Sequence, residues 1–342
     1  MGKLEFKRKS NFELLRIISM LFIIGSHYGL YTIDKLENST NFANNFIFSF
    51  FRSGGQLGVI LFILTTGYFM IKSETKVKKI ISLELQVLFY SIGSLILWLL
   101  LGRNITIQEV SKSIFPNIMN TYWFFTSYFA IYIFIPFINK FLLGLNKKEF
   151  QKLLILGFIF LMVIPTIVIS SATIHGGIYL LYFYTLGAYF RLNLKNDNNK
   201  KNYLIMACIS YLIIILISIV IKHLSITSDK MLDYTYYFSK KESVLMFVCA
   251  TSLFLFFKNI NIKYNPLINK IANVSFGVYI FHENIFIKQI LWKELFVINP
   301  NNNFILYFIT CILSIIVIYI IGGIIELARQ KLFEYIDKKI CI

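Results

Sequence analysis

Charged residues are scarce in this chain. Only 15% of its 342 residues are charged, against 57% hydrophobic and 17% aromatic, and the mean hydropathy is +0.68. That composition excludes a soluble domain of this size and reads as an integral membrane protein. Acidic residues are scarcer still, 17 against 34 basic, which leaves a formal charge of +17. Spread evenly, that surplus would indicate an anionic partner; confined to alternate loops, it encodes orientation. The four cysteines, Cys208, Cys249, Cys311 and Cys341, have neither CxxC nor metal-ligand spacing, so packing is their expected role and no metal centre is expected. The sequence also lacks an internal repeat, a Pro/Gly/Ser-rich linker and any soluble segment longer than about 20 residues. Residues 1–342 therefore read as a single transmembrane domain.

What the chain has is apolar runs of membrane-crossing length. A bilayer core of roughly 30 Å needs about 20 helical residues per crossing. Ten such runs stand between polar breaks, at approximately 11–33, 46–71, 80–101, 121–138, 153–171, 176–190, 203–221, 242–257, 271–291 and 304–325. They are continuous and do not alternate as barrel strands would, so an all-α polytopic fold is expected. The first run follows a basic arm, as a signal peptide does, but it is long, contains charge and has no small-x-small cleavage pattern, so it is expected to stay in the mature protein.

The loops supply orientation. Basic residues cluster in the N-terminal arm, in every even-numbered connection and in the tail, giving 23 of the 34, against nine in the intervening loops. Lys72, Lys76, Lys78 and Lys79 form one such group. This distribution predicts both termini in the cytoplasm. No basic patch of the kind that binds nucleic acid stands apart from these loops, and no nucleic-acid partner is expected.

Ionisable residues inside spans mark functional sites, because each costs several kcal/mol unless it meets a cavity or a partner. The first span holds Glu13, Arg16 and His27, the second Arg52, the third Glu84, and the ninth His282 and Glu283. Arg16 and His27 are 11 residues apart, which is three helical turns plus about 20° and a rise of about 16 Å. One helix face thus presents a fixed cation and a titratable imidazole, an arrangement suited to a long anionic ligand. Snorkelling, or pairing with Glu13, would equally account for Arg16, and a structural hydrogen bond for His27. Arg52 falls near the depth of His27 and is followed by Gly54, Gly55 and Gly58, which permit close backbone approach around a ligand or simple helix packing. His282 and Glu283 lie in the same half of the bilayer, where they can line that cavity or orient His27. Trp123, in the aromatic cluster opening the fourth span, is a belt residue or a surface for stacking a sugar ring. His175 and His223 have no local constellation.

The run Asn11 to Tyr28 (NFELLRIISMLFIIGSHY) resembles the first helix of the acyltransferase 3 family, multi-spanning bacterial enzymes that acylate surface glycans and other envelope acceptors. The family's arginine, ten residues and histidine in this helix correspond here to Arg16 and His27. Further matches run in order through Gly58 to Met70, Tyr122 to Asn139, Tyr182 to Phe190 and Ser275 to His282. Two departures stand out: Thr66, Gly67 and Tyr68 replace a Ser-Gly-aromatic motif, and lysines including Lys72 and Lys76 stand where many relatives have arginines. The sequence carries no esterase-like extracytoplasmic domain of the kind some relatives append, so it is expected to act alone or with a separate partner.

The resemblance implies an O-acyltransferase of the bacterial cell membrane, with no bound cofactor and with acyl-CoA, usually acetyl-CoA in the family, as donor substrate. His27 would be general base, Arg16 would hold the donor with Lys72 and Lys76 on the cytosolic side, and Arg52, His282, Glu283 and Trp123 would meet the acceptor. The acceptor would be a surface polysaccharide or other envelope glycan, with polysaccharide-synthesis machinery as a further partner. A transporter or flippase for an envelope polysaccharide is the alternative, although no inverted repeat or paired broken helices support it.

Overall fold

The computed structural model describes residues 9–31, 42–168, 176–225, 234–297 and 304–340. Among these every regular element is helical. In chain order they are α1 (Ser10–Tyr31), α2 (Phe42–Met70), α3 (Val77–Leu100), α4 (Ile107–Ile114), α5 (Trp123–Gly144), α6 (Lys147–Phe158), α7 (Ile164–Val168), α8 (Gly176–Asn193), α9 (Lys200–Ser225), α10 (Val244–Asn259), α11 (Pro266–Asn273), α12 (Ser275–Glu283), α13 (Ile287–Ile290) and α14 (Phe304–Ile340). A π-type turn at Ile159–Val163 joins α6 to α7, and another at Leu291–Leu295 follows α13. His175 and Cys341 lie outside the described residues; His223 is exposed near the end of α9.

Among the described residues, eight helical segments are long and apolar enough to cross a bilayer: Ser10–Tyr31, Phe42–Met70, Val77–Leu100, Trp123–Gly144, Lys147–Val168, Lys200–Ser225, Tyr237–Asn259 and Phe304–Lys339. The protein is a polytopic, all-α membrane protein. Two of the ten expected spans depart from that description. The sixth forms α8, 18 residues or about 27 Å long, whose tyrosines, Thr185 and Gly187 are buried against other helices. Its polarity suits an internal helix, which needs no uniformly apolar surface.

The ninth expected span, 271–291, is not one helix. α11 ends at Asn273, where the Tyr319 hydroxyl of α14 donates to the Ile271 carbonyl (3.1 Å) and so enters the backbone ladder. α12 then ends at Glu283: Asn284 leaves the helical region at φ −57°, ψ 138°, and its Oδ1 accepts from the amides of Phe286 and Ile287. The helix that carries His282 and Glu283 is thus a short internal segment with its C-terminus inside the protein. The tenth expected span, 304–325, is also corrected, because α14 continues to residue 340 and keeps Glu326 and Arg329 buried.

Lipid tails are as apolar as leucine, so helices associate in a bilayer through close packing and polar contacts. On α9, Ile205, Ile209, Leu212 and Leu216 are exposed along one face while Ala207, Tyr211, Ile214 and Ser218 are buried on the other. The α14 exposed stripe, Ile305, Ile309, Leu313, Ile316, Ile320 and Ile324, follows the same periodicity and marks a lipid-facing surface. The centre is built on α1 and α2, with α2 also packed on α8, α9 and α10 and α14 packed on α1 and α12. At the α2–α8 crossing, a Cβ on Gly67 would overlap the Tyr184 carbonyl, and one on Gly187 would overlap the Leu64 carbonyl. The two backbones touch because neither residue has a side chain.

Candidate active site

Two cavities lie along one face of α1. The first, about 300 Å³, is lined by Arg16 and Met20 of α1, Thr66 of α2, Lys79 of α3, Tyr128 of α5, Ser275 of α12 and Glu326 and Arg329 of α14, among others. The second, about 170 Å³, is lined by Ser26, His27 and Leu30 of α1, Arg52, Gly55, Gln56 and Val59 of α2, and Trp123 of α5. Ile23, Phe124 and Tyr279 line both, forming the wall between them. Arg16, Met20, Ile23 and His27 are spaced i, i+4, i+7, i+11, so the helical period itself carries one face of α1 from the first cavity to the second.

The start of α1 is fixed by its own polar residues. The Asn11 side chain donates to the carbonyls of Phe257 (2.7 Å) and Ile260 (3.2 Å), and buried Ser10 accepts from the Asn265 amide (2.8 Å). Five residues later Arg16 pairs with Glu13 through Nη1, 3.1 Å from each carboxylate oxygen, while still lining the first cavity. Arg16 therefore both pairs with Glu13 and lines a cavity.

At the other end, α1 meets α12. His282 Nδ1 is 2.7 Å from the Val278 carbonyl, and its Nε2 is 2.9 Å from His27 Nδ1. A carbonyl can only accept, so Nδ1 of His282 carries a proton. In neutral His282, Nε2 is then an acceptor, and His27 Nδ1–H must donate to it. This leaves Nε2 of neutral His27 with a lone pair. Glu283 Oε1 lies 3.1 Å from the same His27 Nδ1 and accepts from the Tyr31 hydroxyl (3.3 Å). The two histidines and the carboxylate therefore act as one hydrogen-bonded group centred on His27 Nδ1.

Asn284 connects this group to α5. Its Nδ2 donates to the Tyr122 hydroxyl at 2.8 Å, immediately before Trp123 opens that helix. Asn120, at φ 49°, turns the chain into α5 in the left-handed region that asparagine tolerates. On α2, the Arg52 guanidinium lies 5.3 Å from the centre of the Tyr236 ring, and its Nε and the Gln56 Oε1 are buried with no hydrogen-bond partner among the described residues. Both residues line the His27 cavity.

The structure thus gathers Arg52, His282, Glu283 and Trp123 around His27, while Arg16 lines the first cavity. Lys72 and Lys76 are exposed, and Lys79 is the lysine of that group that reaches a cavity wall. Gln56, Glu326 and Arg329 were not singled out by sequence. Gln56 had a legible signal, being four residues after Arg52 on α2; Glu326 and Arg329 fell beyond the expected end of the last span.

The Acyltransferase domain of the acyltransferase 3 family matches residues 9–323. The chain belongs to the acyltransferase 3 family. No curated protein and no solved structure matches it. The family domain takes in every residue around His27, whereas Glu326 and Arg329 lie past its end. As a membrane acyltransferase the protein must bring an acyl donor and an acceptor together.

The ligand atoms of His27, His282 and Glu283 lie within 4.8 Å of one another, which is also a spacing a divalent cation would accept. Arg52 lines the same cavity as His27, so a dication held by these three residues would stand beside a fixed guanidinium. This charge environment favours a proton-sharing group over a dication. Incubating the purified acyltransferase with EDTA is therefore expected to leave its activity unchanged. Loss restored by one divalent metal would reassign the three residues as ligands.

Proposed function

We propose that this acyltransferase moves an acyl group, acetyl foremost, from cytosolic acyl-CoA to a hydroxyl of a cell-surface or exopolysaccharide glycan. In this reading the protein sits in the bacterial cytoplasmic membrane with both termini in the cytosol, as the basic connections favour. The observation that carries it is the hydrogen-bonded line from the Val278 carbonyl through His282 to His27, which leaves an unprotonated Nε2 on the imidazole that lines the second cavity.

His27 Nε2 takes the proton of the acceptor hydroxyl as its oxygen attacks the thioester carbonyl carbon. Arg52 and Gln56 are placed to hydrogen-bond the acceptor or the oxyanion that develops on that carbonyl. The C–S bond then breaks, the thiolate takes the proton from the imidazolium, and an ester and a free thiol result. Glu283 stabilises the transient positive charge on His27, while His282 holds its ring. Trp123 supplies an apolar face against which a sugar ring can stack.

Purified protein given acyl-labelled acetyl-CoA and the host's surface glycan should move the label onto the glycan, detected as an added ester by mass spectrometry. Label that stays on CoA with every such glycan would overturn the reading. His282→Ala, which loses the ring's orienting partner, is expected to lower kcat about tenfold or more with little change in donor KM. Unchanged kcat would limit His282 to packing.

A further inference from the structure

We infer that Arg329 of α14 and Arg16 of α1 form an anion clamp for the phosphates of a CoA-type donor at the first cavity. The inference rests on the proposed use of acyl-CoA, and what it adds is Arg329, a residue past the end of the matched family domain, on the cavity wall that Arg16 shares.

Arg329 is 8% exposed and Glu326 1% exposed, on a helix whose other spanning residues are mainly isoleucine and leucine. Burying such a pair costs several kcal/mol per ion before attraction returns it, and ionisable groups in membrane helices mark ligand paths. Glu326 is held from several directions. It accepts from Arg329 Nε (2.9 Å) and Nη2 (2.6 Å), from the Tyr90 hydroxyl (2.9 Å) and from Gln330 Nε2 (2.9 Å). It therefore fixes one edge of the guanidinium and leaves Nη1 outside the pair. Arg16 repeats the device with opposite atoms: Glu13 takes Nη1 and leaves Nε and Nη2 outside it. Each carboxylate orients an arginine on the wall of the same cavity.

Two oriented guanidinium groups suit a ligand with several phosphate oxygens. Lys79 lines the same wall. The start of α1, the start of α3 and the distal part of α14 supply these cations, and all three adjoin the basic connections. From Arg16 the α1 face runs through Met20 and Ile23 to His27, a rise of about 16 Å. An uncharged pantetheine arm extended along that face would carry a thioester to the histidine while the phosphates stay at the arginines.

The test compares the wild type with Glu326→Gln/Arg329→Gln, which removes both buried charges together and keeps hydrogen-bonding groups for Tyr90. Binding of CoA, 3′,5′-ADP and pantetheine is measured by calorimetry on monodisperse protein. In the double variant the Kd values for CoA and 3′,5′-ADP should rise tenfold or more, and that for pantetheine should not change. An unchanged CoA Kd, or equal weakening for pantetheine, would overturn the clamp. If the double variant does not fold, Arg329→Lys gives the same comparison, with a several-fold rise expected for the two phosphate-bearing probes only and equal Kd values again overturning the assignment. His27→Ala should bind CoA as the wild type does. A wild type that binds CoA through these arginines but transfers no acyl group would retain the clamp and remove the proposed reaction.

Discussion

His27→Ala is expected to lower acyl transfer by about a thousandfold, the size of effect that loss of a well-placed general base produces. The expectation rests on Nε2 carrying the lone pair of an imidazole that lines the second cavity, its tautomer set through His282 by the Val278 carbonyl. The loss should fall on kcat, because the donor's phosphates would be bound about 16 Å away along α1. The check is transfer of labelled acyl group by purified variant with wild-type chromatographic behaviour. A normally inserted His27→Ala protein that retained full transfer would remove His27 as base. A variant that hydrolysed acyl-CoA normally yet no longer acylated the glycan would instead place His27 in acceptor recognition.

Gly67→Val is expected to destabilise the folded protein by about 3 kcal/mol or more, an overpacking penalty at its upper end. The new side chain would have to displace the Tyr184 carbonyl, which belongs to a helix backbone and cannot rotate away as a side-chain tip can. Gly187 makes the reciprocal contact with the Leu64 carbonyl, so moving α8 aside would open both crossings. Gly93→Ala is the matched control. Nothing lies within 4 Å of the added Cβ there, and alanine in a helix interior gains about 0.5–1 kcal/mol over glycine. Thermal unfolding followed by size-exclusion chromatography should show a large drop for the first variant and none for the second. Equal midpoints for both would show that the α2–α8 crossing can relax.

The resemblance in α1 was legible because everything it needed was local. The 11-residue interval fixes Arg16 and His27 on one face of an α-helix, and Met20 and Ile23 fill the interval in the structure. The aromatic start of α5 was also visible, but its ties to the histidine group, the Asn284–Tyr122 hydrogen bond and the Tyr279 ring between Phe124 and His282, were not. By contrast, the run 271–291 is apolar enough to read as a span, and nothing in its composition says that Tyr319, 48 residues after Ile271, will enter its backbone ladder. Glu326 and Arg329 were hidden for a similar reason. Counted along the chain they belong to a charged tail, yet α14 continues unbroken and carries them against α12 and α3.

The sequence by itself determined that this is an all-helical membrane protein, which stretches supply most of its spans, and that Arg16 and His27 share a helix face. Those properties follow from the length of apolar runs and from a fixed 3.6-residue period, both of which are short-range. Only the tertiary structure decided that His282 and Glu283 meet His27 at one nitrogen, that Lys79 lines a cavity where Lys72 and Lys76 do not, and that a buried Glu326–Arg329 pair stands beside Arg16. Each of these depends on how separate helices pack. In a bilayer that packing is set by glycine contacts and polar side chains between distant segments, because apolar pattern alone does not distinguish a lipid neighbour from a protein one.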